Sequence, residues 1–232
     1  MHMRLYIVRH AQSANNALED QRDRVAEPHL TEVGRQQAEL LAEALAGGAL
    51  RDPKLKDAGR GFDRLFTSPM RRALETTEPV ARVLGIQPEV WVEIHECGGV
   101  WQDHGEEVGI VGYTGLTHSE MAAAFSGYVI PPDVTPAGWW HHRGQEQPHE
   151  CCARMARVAA RLRSWAATDE RILMVTHGDF TNNLIQALLE ASAPVWIHMY
   201  NTGISVVDFR PDGSLGLRYT NRIDHLPPEL IT

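Results

Sequence analysis

The chain has 232 residues, 43% of them hydrophobic and 22% charged, which is typical of a globular protein and excludes a disordered or fibrous one. A formal net charge of −8 excludes general nucleic-acid binding, and no apolar run approaches the roughly 20 residues of a membrane span. The first apolar run is only as long as a strand and lacks the form of a signal peptide, and three cysteines are a poor disulfide framework. We therefore expect a cytoplasmic protein in a reducing compartment.

The N-terminal part of the chain alternates short apolar runs with helical patterns. Thr31 and Glu32 suit the start of one helix, and the serine–proline pair at Ser68 suits the start of another. The segments between these elements are polar or rich in glycine and proline, which predicts loops. In chain order, the patterns predict a strand at Arg4–Val8, a loop over 11–29, a helix from about Thr31 to Ala46, a loop over 49–61, a strand at Arg64–Thr67, a helix from Ser68 to Leu84 and a strand at Glu89–Ile94.

Residues 97–147 are rich in glycine, proline, histidine and tryptophan and show no clear periodicity. Such a stretch is too long for a plain connection. We interpret it as an insertion that contains one short helix near Ser119–Phe125 and lies over the sheet edge as a lid. Beyond it, the patterns predict a helix at Cys151–Ala167, a strand at Ile172–Thr176, a helix at Thr181–Leu189, and a hairpin of Ile204–Phe209 and Leu215–Thr220 joined by Pro211, Asp212 and Gly213.

This alternation of strands and helices predicts a three-layer α/β/α sandwich, with a mostly parallel sheet and a C-terminal antiparallel hairpin. Residues 1–232 would form a single domain that carries the insertion at about 97–147. In such open sheets, ligands bind at the carboxyl ends of the parallel strands. Polar side chains follow the four predicted strands at that edge: Arg9, His10, Gln12, Ser13 and Asn16 after the first, Ser68 and Arg72 after the second, His95 and Glu96 after the third, and His177 and Gly178 after the fourth.

Histidines, arginines and a carboxylate gathered at one edge suit phosphoryl chemistry. Guanidinium groups match phosphate oxygens two at a time, and their charge keeps a neighbouring imidazole neutral and nucleophilic. A second imidazole can donate to the phosphoryl oxygens, and a carboxylate can protonate the leaving oxygen and later deprotonate water. Glu93, Glu106 and Glu107 compete with Glu96 for this acid role.

A second group of residues raises a metal site as an alternative. It contains His141, His142, His149, Cys151 and Cys152, whose spacing fits no common zinc pattern. We therefore predict no metal and no organic cofactor, and we interpret these residues as a solvated loop and the start of a helix. The tryptophans of the insertion either line the substrate site or form a small hydrophobic core of the insertion itself, and we favour the core. They are Trp101, Trp139 and Trp140.

Five short motifs carry most of the polar residues at the sheet edge. They are Arg9-His10-Ala11-Gln12-Ser13 with Asn16, Leu30-Thr31 with Gly34-Arg35-Gln36-Gln37-Ala38, Ser68-Pro69-Met70-Arg71-Arg72-Ala73-Leu74-Glu75-Thr76, Thr176-His177-Gly178 and Asn201-Thr202-Gly203-Ile204-Ser205. Together they resemble the histidine phosphatase superfamily, also called the phosphoglycerate mutase-like family. The resemblance spans residues 4–209 and is specific because the motifs occur in combination.

The resemblance implies a role for each matching residue. His10 would be the nucleophile that becomes phosphorylated, and Glu96 would be the proton donor. The phosphate pocket would consist of Arg9, Arg72 and His177, with Gln12, Ser13, Asn16 and Gly178 binding substrate beside it. Ala11 stands where the motif has glycine, and if that backbone needs a positive φ, alanine costs about 1 kcal/mol.

These roles predict a phosphatase that hydrolyses a small phosphorylated metabolite through a phosphohistidine on His10. Two other functions remain open, namely a phosphoglycerate mutase-type phosphoryl transfer and a non-catalytic phospho-ligand binder. A mutase must grip a carboxylate, for which the insertion offers Arg143. The expected partner is a small phosphorylated substrate, with no nucleic acid and no membrane, and a homodimer is possible.

Overall fold

The computed structural model describes residues 3–48, 61–193 and 195–232. Within them the chain forms eight strands and five α-helices. The loop predicted over 49–61 lies outside the described residues except for its last position. The elements in chain order are β1 (Met3–Arg9), α1 (Glu32–Gly47), β2 (Arg64–Thr67), α2 (Arg71–Leu84), β3 (Pro88–Val90), β4 (Trp101–Asp103), β5 (Ile110–Gly112), α3 (His118–Ala124), α4 (Pro148–Ser164), β6 (Arg171–Thr176), α5 (Gly178–Leu189), β7 (Ile204–Phe209) and β8 (Leu215–Arg222).

Six of the strands form one sheet in the order β3-β2-β6-β1-β7-β8. Strands β3, β2, β6 and β1 run parallel, whereas β7 and β8 pair antiparallel, so the predicted mostly parallel sheet with a C-terminal hairpin is confirmed. In the central pair β1–β6, Arg9 lies opposite Thr176. The next residues, His10 and His177, therefore leave the sheet side by side.

The side chains of β1 alternate between two hydrophobic cores. Leu5 and Ile7 pack with residues of α4 and α5, whereas Tyr6 and Val8 pack with residues of α1 and α2. Because side chains along a strand point to opposite faces in turn, each face of the sheet has its own helix layer. The predicted three-layer α/β/α sandwich is confirmed. Among the described residues, no helix combines the length and the apolar character needed to cross a membrane.

The sequence predicts Ser68 as the cap and Pro69 as the first residue of helix α2, but the helix begins at Arg71, two residues later. The Ser68 hydroxyl accepts from the N–H of Met70 at 3.3 Å and lies 2.7 Å from a ring nitrogen of His177, so it does not cap the helix. The Glu27 carboxylate accepts the N–H of Arg71 at 3.0 Å instead. A residue from a distant loop therefore accepts a hydrogen bond from a free backbone N–H group at the start of this helix.

Other boundaries also differ from the prediction. Helix α4 begins three residues earlier because Gln147 and Glu150 form a capping box around its first turn. Helix α5 also begins three residues earlier, at Gly178, directly after the sheet. The third predicted strand is reduced to Pro88–Val90, and Val92–Ile94 forms a 3-10 turn.

The insertion at 97–147 contains more regular structure than predicted. Its short helix is confirmed as α3, but the two-stranded sheet of β4 and β5 was not predicted, because strands of three residues leave little periodicity. Trp139 and Trp140 pack with Met70 and Leu74 of the α2 region in a separate hydrophobic core. This pair therefore belongs to a core, as favoured, but one that the insertion shares with α2 instead of forming alone, whereas Trp101 lines a cavity at the sheet edge.

Candidate active site

A cavity of about 650 Å³ opens where β1 and β6 end, a size that is usual for small-molecule sites. Its walls come from the loop after β1, the first turns of α2 and α5, the segment after Ile94 and residues 196–199. Seven of the nine predicted site residues line the cavity, whereas Gln12 and His177 do not. The seven are Arg9, His10, Ser13, Asn16, Arg72, Glu96 and Gly178.

The hydrogen bonds of His10 fix its tautomer. Nδ1 lies 2.7 Å from the carbonyl oxygen of Ala11, which can only accept, so Nδ1 carries the proton. Arg72 Nε donates to His10 Nε2 at 3.1 Å, so Nε2 carries the lone pair. Burial, and then the charges of Arg72 and Arg9, lower the pKa of His10 well below its ordinary value. The ring is therefore neutral and nucleophilic at Nε2.

Two guanidinium groups act on this ring, those of the buried Arg72 and of the half-buried Arg9. Arg72 is only 5% exposed, and burial lowers its pKa to about 10, so it stays protonated at neutral pH. Arg9 donates to the carbonyl oxygen of Met199, and its Nε is buried without a partner among the described residues. In the part of the chain that the structure describes, neither arginine forms an ion pair, so both keep N–H groups for an anion.

His177 lies beside His10, with the ring centroids 5.0 Å apart and the ring planes at 61°. Its Nε2 lies 2.7 Å from the Ser68 hydroxyl, which also accepts from the N–H of Met70 at 3.3 Å, and its other ring nitrogen is Nδ1. That Nδ1 is buried and has no partner among the described residues. Burial and the charge of Arg72 lower the pKa of His177, so this ring is neutral too.

Glu96 is a half-buried residue whose carboxyl group is held by backbone N–H groups. Its Oε1 accepts from Cys97 at 2.9 Å and from Phe180 at 2.8 Å, and its Oε2 accepts from Asp179 at 3.3 Å. Burial raises the pKa of Glu96, and the nearby Asp179 carboxylate raises it further. A carboxyl group with a raised pKa can give and take a proton closer to neutral pH.

The three carboxylates that compete with Glu96 in the sequence do not line the cavity. Glu93 pairs with Arg157 at 2.8 Å, and Glu106 and Glu107 are exposed between β4 and β5. Asp179, in the first turn of α5, lines the cavity but was missed. No motif marks it, because acidic residues are common in the first turn of any helix.

The remaining predicted substrate-binding residues divide into two groups. Ser13 lies at the cavity, where its hydroxyl and its N–H both donate to Asn16 Oδ1 at 3.0 Å. Gly178 lines the cavity as the first residue of α5. Gln12 points away, because the Thr31 hydroxyl donates to its Oε1 at 2.6 Å. The position of Gln12 therefore gives no support to its predicted role.

Ala11 fits its place without backbone strain. It does not have a positive φ, so the expected cost of replacing the motif glycine does not arise. Its N–H donates to the Thr76 hydroxyl at 3.0 Å, and its methyl group packs with Leu30 and Ala38. The carbonyl oxygen of the same residue orients His10, as described above.

Cys97 and Cys151 form a disulfide, which corrects the expectation that the cysteines provide no framework. The two residues are 54 positions apart, and the folding of the insertion brings them together. The Glu146 carboxylate and the two sulfurs lie within 4.8 Å of one another. Among the described residues, a metal ion could therefore be ligated by Glu146 with the two cysteines as free thiols, rather than by the histidines at 141, 142 and 149. Arg154 already binds both oxygens of Glu146, at 2.7 and 2.6 Å.

Comparison with known proteins gives a family match over nearly the whole chain. The model of the histidine phosphatase superfamily (branch 1) matches residues 5–222. The mitochondrial serine/threonine-protein phosphatase Pgam5 of Drosophila yakuba is 23% identical over 213 residues, which are 88% of this chain and 59% of that protein. The chain thus spans less than two thirds of the length of this relative.

Two solved structures are similar over nearly their full lengths. The phosphoserine phosphatase from Entamoeba histolytica in complex with 3-phosphoglyceric acid has a TM-score of 0.63 at 19% identity, covering 97% of this chain and 100% of the other. The mycobacterial glucosyl-3-phosphoglycerate phosphatase in complex with VO3 has a TM-score of 0.61 at 21% identity, covering 95% and 99%. These similarities establish a shared fold.

Proposed function

This chain belongs to the histidine phosphatase superfamily, and on that premise we propose that it is a phosphatase that hydrolyses small phosphorylated metabolites through a phosphohistidine on His10. The observation that carries the proposal is the state of His10, a neutral imidazole whose lone pair at Nε2 lies against Arg72. A nucleophile of this kind beside two guanidinium groups suits attack on phosphorus. The phosphatases similar in fold support the same reaction class.

In the first step, His10 Nε2 attacks the phosphorus atom and the bond to the alcohol oxygen breaks. Arg9 and Arg72 hold the phosphoryl oxygens, and Arg72 Nε transfers its hydrogen bond from the ring nitrogen to an oxygen as the new bond forms. Glu96 gives its proton to the departing oxygen. The Ala11 carbonyl oxygen accepts from Nδ1 and stabilises the positive charge of the phosphorylated ring.

In the second step, the Glu96 carboxylate takes a proton from water, and the oxygen of that water attacks phosphorus. The bond between phosphorus and His10 breaks, inorganic phosphate leaves, and the ring returns to its neutral form. Glu96 is then protonated and ready for another cycle. With its proton on Nδ1, which has no partner among the described residues, His177 donates a hydrogen bond to a phosphoryl oxygen in both steps.

The mutase alternative gains nothing from the residue that the sequence offered for it. Arg143 is exposed and is not among the residues that line the cavity. A carboxylate grip at that position is therefore not part of the site, and we propose hydrolysis rather than transfer.

The test is a screen of phosphorylated metabolites for phosphate release, with His10→Ala as the blank. We expect the wild-type protein to release phosphate and to carry a phosphoryl label on His10 during turnover. Arg72→Ala should abolish most of the activity, whereas Arg71→Ala, which changes the adjacent residue outside the cavity, should retain it. Phosphate binding without labelling would favour the non-catalytic binder, and conversion of 3-phosphoglycerate without phosphate release would favour the mutase.

A further inference from the structure

A third arginine that no motif marks lies at the same cavity. Arg24, in the loop between β1 and α1, lines the cavity together with Arg9 and Arg72. Its side chain is partly buried, and its Nε is buried with no partner among the described residues. A buried donor without an acceptor is costly, and ligands are one common reason for such a group.

Trp101 holds the Arg24 side chain in place. The guanidinium carbon lies over the indole ring, 4.7 Å from its centroid. A cation–π contact does not use the N–H groups as hydrogen-bond donors, and Arg24 Nε has no hydrogen-bond partner among the described residues, so it is available to a second partner. Trp101 is itself fixed in β4, opposite Gly112 of β5. The insertion therefore orients an arginine that belongs to the loop after β1.

Arg24 is electrostatically part of the site but is not needed for the phosphoryl group. Its charge contributes to the lowered pKa of His10, although less than the charges of Arg72 and Arg9. Two guanidinium groups already balance the two negative charges of a phosphomonoester. The Asp179 carboxylate at the same cavity offsets part of the charge that Arg24 adds, but Arg24 Nε has no hydrogen-bond partner among the described residues and can donate to another anion.

We propose that Arg24, oriented by Trp101, binds a second oxyanion of the substrate. The preferred substrates are then phosphomonoesters whose alcohol part carries a carboxylate or a second phosphate. The cavity of about 650 Å³ has room for such a molecule beyond its phosphoryl group. This inference rests on the proposed function, because it assigns the phosphoryl end of the substrate to His10, Arg9 and Arg72.

The first experiment compares two matched pairs of substrates by initial rates of phosphate release. 3-Phosphoglycerate and glycerol 3-phosphate differ only in a carboxylate, and fructose 1,6-bisphosphate and fructose 6-phosphate differ only in a second phosphate. We expect the wild-type protein to prefer the more anionic member of at least one pair, and the pair identifies the oxyanion. Arg24→Gln should reduce that preference roughly 10- to 100-fold, mostly through KM, the loss expected for a hydrogen-bonded charge.

Further variants separate charge, geometry and position. Arg24→Lys keeps the charge but loses the planar group, so it should retain part of the preference. Trp101→Leu should raise KM for the anionic member without lowering kcat, because it acts through the orientation of Arg24. Arg22→Gln is the matched control, since Arg22 is an exposed arginine of the same loop that pairs with Asp20, and it should leave the preference unchanged.

A binding measurement distinguishes failure of this inference from failure of the proposed function. In the His10→Ala background, calorimetry gives Kd for each member of a pair without any turnover. If adding Arg24→Gln removes the preference in Kd for the more anionic member, the result supports the assignment of Arg24 to an anion subsite even if the protein hydrolyses none of the substrates. The inference is overturned if wild-type protein and His10→Ala show no preference in either pair. It is equally overturned if Arg24→Gln weakens the binding of both members of a pair by the same factor, because Arg24 would then contact the phosphoryl group that both members share.

Discussion

Glu96→Gln should separate the acid and base roles that we propose for this carboxyl group. The amide oxygen can occupy the Oε1 position and still accept from Cys97 and Phe180, at 2.9 and 2.8 Å. The amide nitrogen then takes the Oε2 position, where only the 3.3 Å contact with the N–H of Asp179 is lost. We therefore expect the variant to fold and to bind phosphate, but it can neither give nor take a proton.

The size of the effect depends on the leaving group. An alkoxide needs a proton as it departs, so kcat/KM for glycerol 3-phosphate should fall about 10²–10⁴-fold, equivalent to about 3–5 kcal/mol of transition-state stabilisation. The nitrophenolate of p-nitrophenyl phosphate leaves without needing a proton. Because kcat/KM reports the step in which His10 is phosphorylated, kcat/KM of the variant for this substrate should stay near that of the wild-type protein. The second step still lacks its base, so phosphorylated His10 should accumulate.

Rapid mixing with p-nitrophenyl phosphate measures this accumulation. We expect a burst of one nitrophenolate per molecule of Glu96→Gln, followed by slow turnover. Glu93→Gln is the matched control, because Glu93 pairs with Arg157 outside the cavity, and it should behave as the wild-type protein does. An equal loss of kcat/KM for alkyl and aryl substrates, without a burst, would refute the assignment and make Asp179 the next candidate.

Three further predictions follow from the site and its supports. The proposed reaction needs neutral His10 and protonated Glu96, and burial lowers the pKa of His10 and raises the pKa of Glu96. On the acid side, kcat/KM should therefore fall only at pH values below the ordinary pKa range of histidine. On the alkaline side, it should fall only at pH values above the ordinary pKa range of a carboxyl group. Cys151→Ser opens a disulfide with a sequence separation of 54, which should cost about 4 kcal/mol and lower Tm by roughly 8 °C in a thermal melt. Gly34→Ala would place its Cβ 2.0 Å from a backbone oxygen of the loop that follows His10, so it should destabilise the fold by about 1–3 kcal/mol in denaturant unfolding.

Each of these predictions has a control or an outcome that contradicts it. Cys152→Ser alters the adjacent exposed cysteine and should leave Tm unchanged, and an equal drop for Cys151→Ser and Cys152→Ser would argue against the disulfide. Gly47→Ala adds a methyl group in open space in the same helix as Gly34 and should not destabilise. An acid limb of kcat/KM at the ordinary pKa of histidine would contradict the neutral state of His10.

The parts of the fold and site that the sequence predicts are those with local causes. The strand before His10 and the strand before His177 are each a short apolar run, and both are confirmed. The polar residues that follow them share one sheet edge because the strands are parallel. The position of both histidines could therefore be inferred before any tertiary contact was known, and their roles remain a proposal.

The parts that escaped prediction depend on contacts between distant residues. The Ser68 hydroxyl would cap a helix in isolation, but it bonds to His177, which lies 109 positions further along. The disulfide and the contact of Arg24 with Trp101 both depend on where the insertion folds. No pattern within a short window reports such contacts, so the pairing of Cys97 with Cys151 and the position of Arg24 at the cavity could not be predicted.

The pairing of β1 with β6 has a consequence for how such a site changes over evolution. Neighbouring strands lie about 4.8 Å apart, so the main-chain pairing of Arg9 with Thr176 nearly dictates the 5.0 Å between the two imidazoles that follow. Surrounding segments can lengthen, shorten or exchange side chains while the two imidazoles keep their spacing, so under the proposed function a new substrate can be acquired without changing the groups that perform the chemistry.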